Sequence, residues 1–202
     1  MHVAQSGIFA LGTGSHSYLE FDLLASTKPL ALVQAIANLR EPSTTTGGVN
    51  LVAGFRPSLW KDVALGDAPV GVVDFDQPVR GVDGYVMPAT QHDLWLWVAG
   101  HAYDKVFDVT REVMKALAPV AILASEVAGW TYKENRDLTG FIDSTENPRL
   151  SEAPEIALLP QQTPGASGSI VLVQKWTHDA AAFDMLPLDV QEKIWVEPRT
   201  RV

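Results

Sequence analysis

The chain contains no cysteine, which excludes disulfides, zinc–thiolate centres, iron–sulfur clusters and thiol nucleophiles. Positive charge is scarce: 15 Lys and Arg stand against 24 Asp and Glu, a formal net charge of −9. Neutralising phosphates needs a basic surface, so nucleic acid is excluded as a partner. Long hydrophobic runs are absent too. No stretch approaches the roughly 20 apolar residues that cross a bilayer, and no basic segment followed by an apolar run marks a signal peptide. No membrane association is expected, and the expected compartment is cytoplasmic. The five histidines (His2, His16, His92, His101 and His178) include no pair at HxH or HxxxH spacing, so no metal site is predicted from them. Gly-rich phosphate loops, Gly-x-Ser-x-Gly elbows and Walker-type lysines are also missing.

What remains is a composition of 47% hydrophobic and 19% charged residues over 202 positions, enough for one good core or for one domain and part of another. From Ser17 to Leu24 the residues alternate, Leu19, Phe21 and Leu23 against Tyr18, Glu20 and Asp22, as in a half-buried strand. Pro29 opens a helical pattern with Leu32, Ile36 and Leu39. Gly47-Gly48 leads into a strand over Val49–Phe55. The stretch from Pro57 to about Gln91, rich in Gly, Pro and Asp, reads as an irregular loop. Leu94 to Val98 is apolar on both faces, with Trp95 and Trp97 opposite Leu94, Leu96 and Val98, and reads as a covered central strand whose tryptophans pack in the core. Tyr103, Val106, Phe107, Thr110, Val113, Met114 and Leu117 follow at helical spacing, Pro119 ends that helix, and Val120 to Val127 is a fourth strand. The order βαββαβ predicts an α+β fold, a ferredoxin-like four-stranded antiparallel sheet with two helices.

Beyond it, Ser151–Ser167 reads as a long connection, Ile170–Trp176 as a strand, His178–Met185 as a short helix with His178 capping it or bonded in the core, and Pro187 as the start of another helix with Val190 and Ile194 on its apolar side. One strand and two short helices do not complete a second layer, and an unpaired strand invites association.

Between these parts lies Arg136-Asp137-Leu138-Thr139-Gly140-Phe141-Ile142-Asp143-Ser144-Thr145-Glu146-Asn147-Pro148-Arg149. This segment resembles the Gly-x-x-Asp-Gly signature of the dye-decolorizing peroxidases, and the likeness runs from Trp130-Thr131-Tyr132 through Asn147-Pro148. Elsewhere it takes in Gly7-Ile8, Val52-Ala53-Gly54-Phe55 with Trp60, Pro88 to Leu94, Val173-Gln174-Lys175-Trp176 with His178-Asp179, and Leu186-Pro187. The resemblance implies two ferredoxin-like domains with haem b held by the second. Residues 1–135 would be the N-terminal domain, and residues 136–202 the signature loop and an incomplete C-terminal haem-binding domain. It implies oxidation of dye-like, phenolic or porphyrin substrates by H2O2, with a small organic reductant and a homo-oligomeric assembly. Asp143 would be the distal acid/base that takes and returns the peroxide proton. Gly140 would let the backbone pass close to the porphyrin without a Cβ, and Phe141, Ile142, Ser144, Thr145 and Glu146 would complete the cofactor-binding loop, Glu146 near a propionate. Ser144 stands where the family has Gly. If that position needs φ > 0, serine costs on the order of 1 kcal/mol.

The family's iron-binding His and distal Arg belong to later segments with no counterpart here. After Ile194 the residues Trp195-Val196-Glu197-Pro198-Arg199 depart from the family's Gly-Arg-Thr-Lys. The same codons read with one base carried over from Ile194 force a Gly and permit Arg, Thr and Lys. The expectation is a reading frame shifted before the haem-ligand region. The alternative reading of function is accordingly a non-catalytic homologue lacking the proximal His, acting as an assembly or small-ligand module.

Overall fold

The structure, a computed structural model, describes residues 3–39, 48–142 and 147–194. Four strands form one sheet: β1 (Ser15–Leu23), β2 (Val49–Phe55), β5 (Leu94–Gly100) and β6 (Ala121–Trp130), in the order β2-β5-β1-β6. β3 (Val79–Arg80) and β4 (Val86–Met87) make a separate small hairpin. β5 pairs antiparallel with both neighbours, so that Leu19, Leu96 and Ala53 share one row and Tyr18, Trp97 and Val52 the next. β6 also runs antiparallel to β1: Leu24 N–H donates to Val120 O (3.1 Å) at one end, while Gly129 lies against Tyr18 and His16 at the other. This is the ferredoxin-like arrangement.

Two helices cover the face bearing Leu19, Phe21, Leu94, Leu96 and Val98. In α1 (Pro29–Ala37) a proline sits in the first turn, where its missing N–H has no helical partner to lose, and Leu32 is fully buried. In α3 (Tyr103–Leu117) the buried residues are Val106, Thr110, Val113 and Leu117, a single stripe set by 3.6-residue periodicity. The opposite face of the sheet is aromatic. His16, Tyr18, Trp95 and Trp97 lie ring against ring, with centroids 5.8–6.4 Å apart. The Trp97 indole N–H donates to His16 Nδ1 (3.1 Å), so that nitrogen must be unprotonated. Burial draws the imidazole below its ordinary range, opposed by a hydrogen bond with the Thr13 backbone. The same burial pushes the Tyr18 phenol up. Trp95 and Trp97 are thus half-buried on the helix-free face rather than in the helix-side core.

The segment expected to be an irregular loop after Pro57 is partly helical. α2 (Pro57–Ala64) follows an extended Arg56, and Leu59 anchors it in the core with no exposure. Eight residues with one fully buried anchor leave too short a pattern for periodicity to reveal. In the hairpin, Asp83 (φ 55°) and Gly84 (φ 78°) make the left-handed turn.

The chain divides into two compact units. The first joins the sheet unit, through Gly129, to the segment Leu158–Ser169. The second comprises Trp130–Ala157 and Ile170–Val202. Leu158–Ser169 is a folded loop: Leu159 N–H donates to Gly168 O (2.9 Å), Ser167 N–H to Leu159 O (3.0 Å), and Gly165 N–H to Asp67 Oδ1 (3.3 Å). A Cβ on Gly165 (φ 75°) would come within 2.6 Å of Pro69.

The second unit contains α4 (Ala153–Ala157), α5 (Ala180–Asp184) and α6 (Leu188–Ile194). Gln191 ties the last two together, its amide donating to Phe183 O (3.1 Å) and Leu186 O (3.0 Å). Two expectations are corrected here. Ile170–Trp176 carries no regular secondary structure, because a strand exists only where a neighbour takes its backbone groups. Its apolar side chains stand out: Ile170 is 71% exposed and Leu172 70%. His178 does not cap the following helix and is not in a core. It is exposed, and Asp179 is the cap, its Oδ1 accepting from Ala182 N–H (3.0 Å).

Candidate functional site

The signature segment enters through a tight reversal. Lys133, Glu134 and Asn135 all have positive φ, and Arg136 N–H closes the turn onto Tyr132 O (2.9 Å). Arg136 then bridges antiparallel to Ile142, with Asp137 N–H donating to Phe141 O (3.0 Å) and Gly140 N–H to Asp137 O (3.0 Å). Gly140 sits at φ 89°, a left-handed conformation that disfavours any Cβ. Arg136 Nη1 donates to Gly140 O (2.9 Å), tying the apex to the incoming strand.

Asp137 organises this turn. Its Oδ1 accepts from Thr139 N–H (2.9 Å), Thr139 Oγ1–H (2.6 Å) and Phe141 N–H (3.1 Å). Its Oδ2 is enclosed, with no hydrogen-bond partner among the described residues. Phe141 is buried (1% exposed) and meets Phe183 of α5 edge-on, with centroids 6.3 Å apart and planes at 76°. That geometry suits the ring quadrupoles. Ile142 is more open, at 36% exposure.

Of the site residues expected from sequence, Gly140, Phe141 and Ile142 therefore belong to one hydrogen-bonded turn. Asp143, Ser144, Thr145 and Glu146 lie outside the described residues. Sequence reasoning missed Asp137. The available signal was Asp-x-Thr followed by Gly, the pattern of an Asx turn in which a carboxylate receives the backbone two residues on.

A second polar assembly, also missed, sits at one end of the sheet. Asp93 precedes β5 and Arg56 follows β2, and Arg56 N–H continues the ladder to Asp93 O (3.2 Å). The Asp93 carboxylate takes Arg56 Nε with one oxygen and Leu23 N–H (2.7 Å) with the other, so one side chain links three strands. Asp74 completes the group, accepting from Ser58 N–H (2.8 Å), from the Ser58 hydroxyl and from Arg56 Nη1 (3.2 Å). Burial pushes the Asp74 carboxyl up, but Ser58 and Arg56 outweigh it and hold the group below the usual carboxylate range. For Arg56, burial lowers the affinity for the proton, and Asp93 and Asp74 together more than restore it. One guanidinium is shared by two carboxylates here, and these bonds make the cluster a brace of the sheet.

Haem meets part of a site in the described residues. The glycine turn is present, and four histidines are described with it. His16 accepts from Trp97, His92 Nδ1 is 2.9 Å from Asp22 Oδ1, and His101 is an exposed residue just past β5. His178, in the same unit as the turn, lies exposed in an irregular segment. Among the described residues no group of three or more His, Cys, Asp or Glu side chains could hold a metal ion. The described residues thus supply the loop side of such a site.

A ferredoxin-like α+β unit followed in sequence by the Gly140-Phe141-Ile142 turn defines a class, and comparison with known proteins adds its relatives. The family described as "Dyp-type peroxidase, C-terminal" matches residues 134–199. The dye-decolorizing peroxidase of Brevibacterium linens is 34% identical over 147 residues, covering 71% of this chain and 39% of that protein. That of Rhodococcus erythropolis is 31% identical over 188 residues, covering 93% and 52%. Among solved structures, a Rhodococcus jostii RHA1 DypB variant in complex with heme superposes with a TM-score of 0.86 at 26% identity, over 98% of this chain and 66% of that one. A putative dyp-type peroxidase protein from Shewanella oneidensis gives the same TM-score and identity over 99% and 66%. This chain is thus similar to the dye-decolorizing peroxidases over most of its length. It spans about half the length, or less, of these two curated relatives.

Proposed function

We propose that the chain carries the acid/base loop of a haem-dependent peroxidase that uses H2O2 to oxidise dye-like, phenolic or porphyrin substrates. The observation that carries this reading is the turn at residues 136–142. In it the backbone running up to Asp143 is held by hydrogen bonds, with glycine at the one left-handed apex. A carboxylate following such a turn is suited to take a proton from peroxide and return it, which is the work of a positioned general acid/base. Gly140, Phe141, Ile142, Ser144, Thr145 and Glu146 are assigned to the cofactor side of that loop, and residues 136–202 to the haem-binding domain after an N-terminal domain of residues 1–135. The small organic reductant, the homo-oligomeric assembly and the cytoplasmic location belong to the same proposal. Among the described residues no helix is long and apolar enough to cross a membrane.

The test is a hemin titration of the 202-residue chain followed through the Soret band, then peroxide-dependent dye oxidation by the loaded protein. Saturable binding near one haem per chain is expected, with oxidation reduced about 100-fold or more in Asp143→Asn, as for loss of a general acid/base. Weak binding that never saturates would overturn the reading. It would leave the non-catalytic homologue.

A further inference from the structure

Asp137 lies ahead of Asp143 in the sequence, and the family resemblance gives it no role. In the structure it is the centre of the turn. One oxygen collects three donors, two from Thr139 and one from Phe141, so the residues on both sides of Gly140 hang on a single acceptor. The other oxygen is enclosed and has no hydrogen-bond partner among the described residues. The adjacent cation, Arg136, gives its Nη1 to Gly140 O. The side chain therefore acts as an acceptor whose position matters, and an uncharged amide oxygen in the same place would accept the same three bonds.

Phe141 shows why that position matters. Its ring is buried edge-on against Phe183, while its N–H is held by Asp137. With ring and N–H both anchored, the peptide leaving Phe141 has little freedom to rotate. We propose that Asp137 is a positioning residue for the acid/base carboxylate, setting the direction in which the chain leaves the turn toward Asp143. This rests on the role given to Asp143 above.

Two substitutions separate position from charge. Asp137→Asn and Asp137→Ala remove the same negative charge, but Asn keeps an oxygen for the three donors and Ala does not. The reporter is the Asp143 carboxyl carbon, followed by NMR in 13C-labelled 202-residue chain as pH is varied. Amide hydrogen exchange at Thr139 and Phe141 is measured alongside. Loss of the Asp137 charge acts on the Asp143 midpoint alike in both variants. Loss of position adds a further displacement in Ala alone, expected at about half a unit or more. Exchange at Phe141 is expected to stay near wild type in Asn and to quicken about tenfold or more in Ala.

Equal Asp143 midpoints in Asn and Ala would overturn the proposal, even with faster exchange in Ala, because Asp137 would then brace the turn without orienting the carboxylate beyond it. If Ala does not fold, Thr139→Val replaces it. That change removes only the hydroxyl donor, and an Asp143 midpoint identical to wild type would equally overturn the proposal. Neither measurement needs haem. A failed hemin titration with a standing Asn–Ala difference would sink the peroxidase reading and leave the positioning intact, and the reverse pair of results would do the opposite.

Discussion

The sheet unit and the signature turn reach order by different means. In the sheet, rows such as Leu19–Leu96–Ala53 and helix stripes such as Val106–Val113–Leu117 feed one continuous core. Any single contact there is replaceable in kind, and stability comes from area removed from water. Among the described residues of the second unit, the buried apolar side chain is Phe141 and the buried polar one is Gln191. Order there comes from directed bonds: three donors on Asp137, Arg136 on Gly140 O, Gln191 on two carbonyls. An apolar core tolerates changes of shape but not loss of volume. A hydrogen-bonded turn tolerates loss of volume outside it but not loss of an acceptor or of a left-handed glycine.

The largest test of this contrast is Leu96→Ala against Leu172→Ala. Leu96 is fully buried on the central strand, whereas Leu172 is 70% exposed. The first is expected to cost about 2–5 kcal/mol, as for cavity-forming truncations, and the second less than about 0.5 kcal/mol. Urea unfolding followed by circular dichroism reads both. Comparable losses would mean that Ile170–Trp176 is packed far better than its exposure indicates.

A smaller effect is expected at the turn. Gly140→Ala places a Cβ at φ 89°, at a cost of roughly 1–2 kcal/mol. The loss should be local: amide exchange at Thr139 and Phe141 should quicken while the β5 amides keep their protection. Loss of protection across the sheet would show that the two units unfold as one.

The smallest effect is one of pH. Asp74 is held below the usual carboxylate range because Ser58 and Arg56 outweigh its burial. A carboxyl with a depressed folded-state value contributes stability that is complete above its unfolded value, about 3.9. The contribution is lost as pH falls through the folded value. Asp74→Asn should therefore lower the urea midpoint near neutral pH and leave a shallower decline below about pH 4. Parallel acid limbs in the two proteins would remove Asp74 from the brace.

Much of the sheet unit is legible in the sequence, for a physical reason. Alternation places Leu19 and Phe21 on one face and Tyr18 on the other whatever lies around them, and helical spacing does the same for Val106, Thr110, Val113 and Leu117. α2 is not legible because one anchor, Leu59, falls within eight residues. Asp93 stands in the sequence only as part of a run that matches the family. That it links three strands depends on residues 23, 56 and 93 meeting, and no local pattern encodes that. The turn is half legible: Gly140 and Phe141 stand out through resemblance, while Asp137 becomes visible only when its three donors do.

The sequence by itself determined the faces of the strands, the helix stripes, the absence of cysteine and the resemblance to a family. These come from side-chain type and short-range periodicity. Tertiary structure alone decided that Ile170–Trp176 stands outside any strand, that Asp179 rather than His178 caps the helix, and that Asp74 and Asp93 share Arg56. Backbone donors and charges are satisfied by whatever the fold brings within about 3 Å, and that is a property of the folded chain rather than of any segment read alone.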